Sequence, residues 1–176
     1  MPLLQHYLSD KFAQDAELGV YFKREDKNVR WPRDLASKMA KSAVLLPMFS
    51  ERYFSSQWCD AELRYMLSRE KSCGLLERGE SSTLIVPVIV DDVEALPRQI
   101  SDLDPREITP FVSMTMTDGS PKAEGLEEEV RIIAKRIKSA FDIAKEYRPE
   151  WLNLAIDAVD ETFDMTEPKQ TEKIRM

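Results

Sequence analysis

Two uninterrupted apolar runs constrain the fold of this chain more than any other feature of its sequence. The first run covers Ala43 to Met48, and the second, TLIVPVIV, covers Thr83 to Val90. Each has the length and continuity of a strand buried on both faces, which is typical of parallel sheets. Amphipathic patterns alternate with these runs along the chain. We therefore predict an α/β fold in which a parallel sheet carries helices on both faces.

The stretch between the two runs predicts a helix that begins near Trp58. Ser55 and Ser56 are N-cap candidates, because a serine oxygen can accept a hydrogen bond from an unpaired amide of the first turn. Trp58 and Glu62 are four residues apart and therefore share one face of this helix. An adjacent apolar stripe is expected to pack on the sheet, and it consists of Cys59, Leu63, Met66 and Leu67. A carboxylate near the carboxyl end of a parallel strand lies where open α/β sheets bind their ligands.

Residues 37–63 resemble the centre of a TIR domain, the Toll/interleukin-1 receptor type, and read SKMAKSAVLLPMFSERYFSSQWCDAEL. In that family a helix ends in a small residue and a serine. This helix is followed by a buried strand and then by S-x-x-Y, a serine pair and W-C-x-x-E-L. The family's W-x-x-x-E motif falls on Trp58 and Glu62. The resemblance extends from about Leu8 to about Ala144 and implies a flavodoxin-like TIR fold of the bacterial type.

Other elements are predicted from local patterns. Helical spacing of apolar residues gives a first helix that ends near Gly19, and Val20 to Phe22 then forms a short strand. Pro32 at a first-turn position begins the next helix. Ile108 to Met114 suits an edge strand, because Pro110 cannot donate to a ladder. A long amphipathic helix that runs to about residue 144 is indicated by Leu126, Val130, Ile133 and Ile137.

The length of the chain suits one domain, because 176 residues are too few for two ordinary ones. We expect a TIR-like domain over residues 1–144 and a C-terminal segment over residues 145–176. An apolar stripe in that segment predicts an amphipathic helix, which could either complete the domain or dock on a partner. The stripe consists of Trp151, Leu152, Ala155, Val159 and Phe163. The polar composition from Thr166 onward predicts a disordered tail.

The amino-terminal end departs from the TIR pattern. The family begins with a strand and a loop before its first helix, and that strand lies in the middle of the sheet. Here Met1 and Pro2 stand directly at the predicted first helix. The family's first strand is therefore expected to be missing. By the same resemblance, catalytic activity depends on that strand and its loop being supplied, since the loop contacts substrate in enzymatic TIR domains.

Glu62 is the candidate catalytic residue. An arbitrary helical glutamate is more often a solvated carboxylate that pairs with a neighbouring Lys or Arg. The resemblance implies more, since enzymatic TIR domains use the glutamate at this position to cleave the bond between nicotinamide and ribose in NAD. A carboxylate beside the ribose can stabilise the oxocarbenium character that develops as nicotinamide leaves. Trp58 could offer its face to a flat ring or pack in the core, and the pattern leaves both possibilities open.

The resemblance also implies substrate contacts, and these fall on Trp58, Tyr53, Phe22, Arg24 and Trp31. Phe22 ends the second strand, and Arg24 and Trp31 belong to the segment after it, which TIR domains use to contact partners or substrate. The charged loop from Lys23 to Trp31 should therefore meet a second protomer, because a neighbouring copy completes the pocket in enzymatic members. NAD is the expected substrate, with no cofactor and no metal.

Composition argues against several other functions. The chain has one histidine, His6, and two cysteines, Cys59 and Cys73, so neither a zinc site nor a disulfide framework is indicated. A net charge of −7 argues against nucleic acid as a general partner. No apolar run approaches the roughly 20 residues that span a bilayer, and no signal-peptide pattern is visible. A cytoplasmic location is therefore expected.

Two functions stay open at this stage. The first is an NAD nucleosidase with a linear or a cyclised ADP-ribose product, acting in signalling or in immune defence, for example against phage. The second is a non-enzymatic module that signals through TIR–TIR contacts. Glu62 favours the first function, whereas the missing first strand and loop favour the second. A third and weaker alternative gives the site a nucleic-acid or cyclic-nucleotide substrate.

Overall fold

A computed structural model describes residues 32–75, 83–91, 93, 96–111, 119–144 and 146–163, and the elements in these ranges are numbered here in chain order. The helices are α1 Pro32–Lys41, α2 Glu51–Phe54, α3 Gln57–Ser72, α4 Arg98–Ser101, α5 Pro121–Ile143 and α6 Glu150–Phe163. The strands are β1 Met48–Phe49, β2 Val88–Ile89 and β3 Arg106–Glu107, and a 3-10 turn covers Thr109–Phe111. The first predicted helix, the strand at residues 20–22 and the question of the missing first strand fall outside the described residues.

The described strands form a parallel sheet in the order β1-β2-β3. Met48 lies opposite Val88, and Val88 lies opposite Arg106. The pairing of the two apolar runs extends further back, where Leu45 forms a parallel bridge with Ile85. The predicted α/β fold with a parallel sheet is confirmed, and it is consistent with the flavodoxin-like TIR fold.

Two prolines interrupt the ladders of the sheet without ending them, Pro47 toward β2 and Pro87 toward β3. Neither has an N–H to donate, so each leaves one ladder bond unmade. Their carbonyl groups still accept bonds at 3.0 Å, Pro47 from the amide of Val88 and Pro87 from the amide of Arg106. The strand assignments are therefore short, although backbone hydrogen bonds join the two apolar runs from Leu45 and Leu84 to Phe49 and Val90.

Burial differs between the two apolar runs. The second run is buried from Leu84 to Val88, as predicted. In the first run Pro47 is buried, Val44 to Leu46 are half-buried and Met48 is 36% exposed. The prediction that the first run is a fully buried inner strand is therefore wrong at Met48. The physical reason is position, because β1 is the outer member of the three described strands.

The third described strand was not predicted. An edge strand is expected from Ile108 to Met114, but residues 109–111 form the 3-10 turn, and residues 112–114 lie outside the described residues. Pro110 suits such a turn, since its ring fixes a helical φ angle. Arg106 fastens β3 to α5, because its guanidinium group donates to both carboxylate oxygens of Glu129 at 2.6 and 2.8 Å.

Helices cover both faces of the sheet. On one face, α1, α3 and α6 share a hydrophobic core with Leu84 and Ile85. On the other face, α5 packs on Val86 and Val88. Ile85 and its neighbour Val86 point to opposite faces, as in any strand, which explains why the second run contributes to both cores. Leu84 stands before the bridge at Ile85 and does not follow this alternation.

The C-terminal helix α6 belongs to the first of these cores. Trp151, Ala155 and Val159 are at most 2% exposed and recur every four residues, which forms one buried stripe. The stripe packs against α1 and α3. Of the two roles left open by the sequence, packing on the domain is the one observed. The proposed boundary at residue 144 separates two segments that share a core, and as a domain boundary it stays a prediction.

A buried acid holds the carboxyl-terminal end of α3 to the start of the second run. Glu70 is fully buried, and its Oε1 accepts hydrogen bonds from the amide of Leu84 at 2.6 Å and from the hydroxyl of Thr83 at 2.5 Å. Its Oε2 has no hydrogen-bond partner among the described residues. Burial raises the pKa of Glu70, because the hydrogen bonds only partly offset the lost hydration of the carboxylate.

We expect Glu70→Gln to gain stability relative to the wild type as the pH rises. The folded-state pKa of Glu70 lies above its ordinary value of 4.5. The stability that this carboxyl contributes is therefore present below that value and is lost as the pH rises through the folded-state pKa. Glutamine keeps the Oε1 acceptor but does not titrate. Urea unfolding at several pH values between about 4 and about 8 measures the difference in unfolding free energy.

Glu124, an exposed glutamate on α5, provides the matched Glu→Gln control for this experiment. A difference between Glu70→Gln and wild type that stays constant with pH would contradict the burial effect.

Candidate functional site

Serine caps place the first turn of α3 directly after β1. Ser50 follows β1 and accepts a hydrogen bond from the amide of Tyr53, which begins α2. Ser56 accepts a bond from the amide of Cys59 at 3.4 Å and so begins α3. The predicted cap at Ser56 is confirmed, whereas Ser55 lies at the C-cap of α2. The start of α3 therefore lies beyond the carboxyl end of a parallel strand, where α/β sheets bind ligands.

An aromatic cluster supports this region. Phe49 at the end of β1 is fully buried. Tyr53 meets its ring edge to face at a centroid distance of 4.8 Å, and Phe54 stacks on it at 5.1 Å with an interplanar angle of 10°. These geometries are the favourable ones for aromatic pairs. The cluster fixes α2 on β1 and thereby the direction in which the chain enters α3.

Tyr53, a predicted substrate contact, lies between this cluster and α3. Its hydroxyl donates to the carbonyl oxygen of Cys59 at 3.4 Å. Burial is the main cause that raises the pKa of Tyr53, and electrostatic interactions with Cys59, Glu62 and Asp60 raise it further. The phenol therefore stays protonated. Tyr53 itself is buried, and its role in contacting substrate stays a prediction.

Glu62 is half-buried on α3, one turn after Trp58. Its neighbour Asp60 forms a salt bridge with Arg64 at 2.7 Å, and both of these side chains are about half exposed. A half-buried carboxylate keeps part of its hydration and can still be approached from solvent. The position is compatible with a carboxylate that acts on a ligand, and its catalytic role stays a prediction.

Trp58 packs against the C-terminal helix. The centroid of its ring lies 4.4 Å from that of Phe163, at an interplanar angle of 53°. Both residues are partly buried at the margin of the first core. Of the two possibilities left open by the sequence, packing is the observed one, and the binding of a flat ring stays a prediction. The partner could not be found from the sequence, because Phe163 is 105 residues further along the chain and no local pattern links the two.

The other predicted substrate contacts lie outside the described residues. These are Phe22, Arg24 and Trp31, together with the loop from Lys23 to Trp31. Within the described part of the chain, Trp58 and Glu62 lie one turn apart on α3, and Tyr53 is bonded to that helix through the carbonyl oxygen of Cys59.

The described residues contain no group of three or more His, Cys, Asp or Glu side chains that could hold a metal ion. Among the helices that the structure describes, none is both long and apolar enough to cross a membrane.

Comparison with known proteins gives the class of this chain. A sequence model of the TIR domain matches residues 6–129, which is more than half of the chain. The chain therefore belongs to the TIR domain family, as the W-x-x-x-E region indicated. Membership supports a general role in signal transduction, and TIR domains generally self-associate.

A relative in plants agrees with this assignment. A TIR domain-containing protein from Arabidopsis thaliana is 29% identical over 132 residues, which cover 70% of this chain. The chain spans about half, 49%, of the length of that protein. No solved structure matched the chain.

Proposed function

We propose that this chain cleaves NAD at the bond between nicotinamide and ribose. The observation that carries the proposal is the position of Glu62, a half-buried carboxylate of the W-x-x-x-E motif on the first two turns of α3. These turns follow β1 at the carboxyl end of the sheet, the edge at which this class of fold binds nucleotides. We place the activity in cytoplasmic signalling or immune defence.

The proposed chemistry needs one negative charge beside the ribose. As the glycosidic bond breaks, its electron pair moves to the pyridinium nitrogen, and nicotinamide leaves as a neutral molecule. The ribose then carries oxocarbenium character, which a fixed carboxylate stabilises. Water attacks the anomeric carbon to give ADP-ribose, or a nitrogen of the adenine ring attacks it to give a cyclic product. Asp60, the other acid on this turn, is already bound to Arg64.

A non-enzymatic signalling module is the second candidate. The contact between Trp58 and Phe163 favours it, because a tryptophan ring that packs on α6 offers less area to nicotinamide. Such a module would act through contacts between TIR domains, without a chemical step.

We expect nicotinamide release to depend on self-association. The pocket is proposed to be completed by a neighbouring copy, which the loop from Lys23 to Trp31 contacts. The rate of release from NAD should therefore rise more steeply than in proportion to protein concentration. Fusion to an oligomerising partner should raise the rate at low protein concentration.

Full activity of a dilute monomer would refute the dependence on assembly. Absence of release under forced assembly would reject NAD cleavage and favour the signalling module.

A further inference from the structure

Helices α3 and α6 lie side by side in opposite directions. Trp151, near the start of α6, contacts Arg69 near the end of α3. Phe163, the last residue of α6, contacts Trp58 in the first turn of α3. The two contacts are 12 residues apart on α6 and 11 apart on α3, or about 18 and about 17 Å at the rise of an α-helix. The matched lengths mean that α6 is fastened to α3 at both ends.

The two fastenings differ in strength. The ring of Trp151 is 2% exposed, with the guanidinium carbon of Arg69 3.7 Å from its centre and Tyr147 edge-on at 6.2 Å. Phe163 is only partly buried and is the last described residue of α6. Local opening concentrates where few apolar contacts are buried. The Trp151 end is therefore the anchor, and the Phe163 end is the one that opens at the lower free-energy cost.

A charge pair also joins the two helices at the Phe163 end. The hydrogen bond and charge of Asp60 raise the pKa of Arg64 most, burial lowers it, and the charge of Glu161 raises it further. Arg64 on α3 is therefore attracted to Glu161 on the last turn of α6. Both residues are exposed, so this attraction is weak and is screened by salt.

We propose that Phe163 is a latch, whose contact covers Trp58 and whose release exposes the Trp58–Glu62 face to a flat nucleotide ring. The identity of that ring as nicotinamide rests on the proposed function, whereas the movement of the last turn of α6 does not.

Phe163→Ala tests the latch, with Leu152→Ala as the control. Leu152 is also partly buried on α6, but it lies beside the Trp151 anchor. A closed latch leaves only part of the protein able to bind NAD, and this raises the measured KM. Phe163→Ala should therefore lower the KM for NAD by about three- to tenfold and leave kcat unchanged. Leu152→Ala should leave KM unchanged. The readout is nicotinamide release by the full chain under forced assembly.

Hydrogen exchange gives a readout that does not need NAD cleavage. In the wild type, amides of the last turn of α6 should exchange faster than those in its middle, around Ala155. Phe163→Ala should raise exchange in that turn and in the first turn of α3, but not around Ala155. Exchange in the last turn that equals exchange around Ala155, or that Phe163→Ala leaves unchanged, would overturn the latch.

The kinetic and exchange results separate the two proposals. A fall in kcat for Phe163→Ala would overturn the latch, since it would make Phe163 a support that holds Trp58 in place. If no variant releases nicotinamide, the proposed function fails, and the exchange pattern alone decides the latch.

Discussion

Replacing Trp151 by alanine should lower the free energy of unfolding by about 3–5 kcal/mol, which is the usual cost of removing a large buried aromatic side chain. The ring is 2% exposed and belongs to the core that α6 forms with α1 and α3. Ala155 and Val159 continue the same stripe but are too small to fill the space that the indole would leave.

The expected loss lies toward the upper part of this range because of Arg69. This arginine is 1% exposed, and its guanidinium group lies 3.7 Å above the ring of Trp151. It donates to the carbonyl oxygen of Ser42, while its Nε has no hydrogen-bond partner among the described residues. The indole therefore supplies part of the compensation for a buried charge. Without the indole, that charge must be rehydrated or leave the core.

Urea unfolding of Trp151→Ala measures this loss, and Tyr147→Ala is the matched control. Tyr147 contacts the same ring edge-on but is 48% exposed, so its removal should cost less than about 1 kcal/mol. The double variant Trp151→Ala with Arg69→Met tests the coupling, because methionine removes the charge. The cost of Trp151→Ala should be smaller in that background. A loss below about 1 kcal/mol for Trp151→Ala alone would mean that α6 is not part of the core.

Much of the fold could be predicted because its signals are local. Two continuous apolar runs indicate a parallel sheet, and a serine before an amphipathic pattern indicates where a helix begins. Both predictions hold, at Thr83 to Val90 and at Ser56. The TIR resemblance likewise rests on one short continuous segment, residues 37–63.

The buried face of α3 could be predicted only in part. Met66 is buried as expected, but Leu63 is only half-buried, whereas Arg69 and Glu70 are fully inside. A prediction from the spacing of apolar residues places charged residues on the exposed face. Their burial here depends on the ring of Trp151 and on the backbone at Leu84, which are distant in sequence.

At the candidate site too, the sequence predicts local spacing but not contacts between segments that are distant in sequence. The spacing of the motif places Trp58 and Glu62 on one face, and the structure agrees. The contact with Phe163 joins two helices that are adjacent only after folding. Strand β3 could not be predicted for a similar reason, because Arg106 gains its position from Glu129 on α5 rather than from apolar character.

Glu62→Gln should slow NAD cleavage by about 10²–10³-fold, which corresponds to about 3–4 kcal/mol of transition-state stabilisation. Glutamine keeps the shape and most of the hydrogen-bonding capacity of glutamate but removes its negative charge. The change therefore separates stabilisation of the oxocarbenium ion from positioning of the ribose. Since Glu62 is half-buried at the edge of the core, its replacement should leave the melting temperature nearly unchanged.

Asp60→Asn provides the control, because it removes a neighbouring carboxylate of the same turn that is bound to Arg64. This variant should retain most of the rate, since the proposal assigns Asp60 no contact with the substrate.

The central claim is tested most directly by nicotinamide release from NAD, measured for wild type and Glu62→Gln at matched concentration and matched oligomeric state. We predict release by the assembled wild type and a loss of about 10²–10³-fold in the variant. Equal rates for the two proteins would contradict a catalytic role for Glu62. No release by the assembled wild type would contradict NAD cleavage itself.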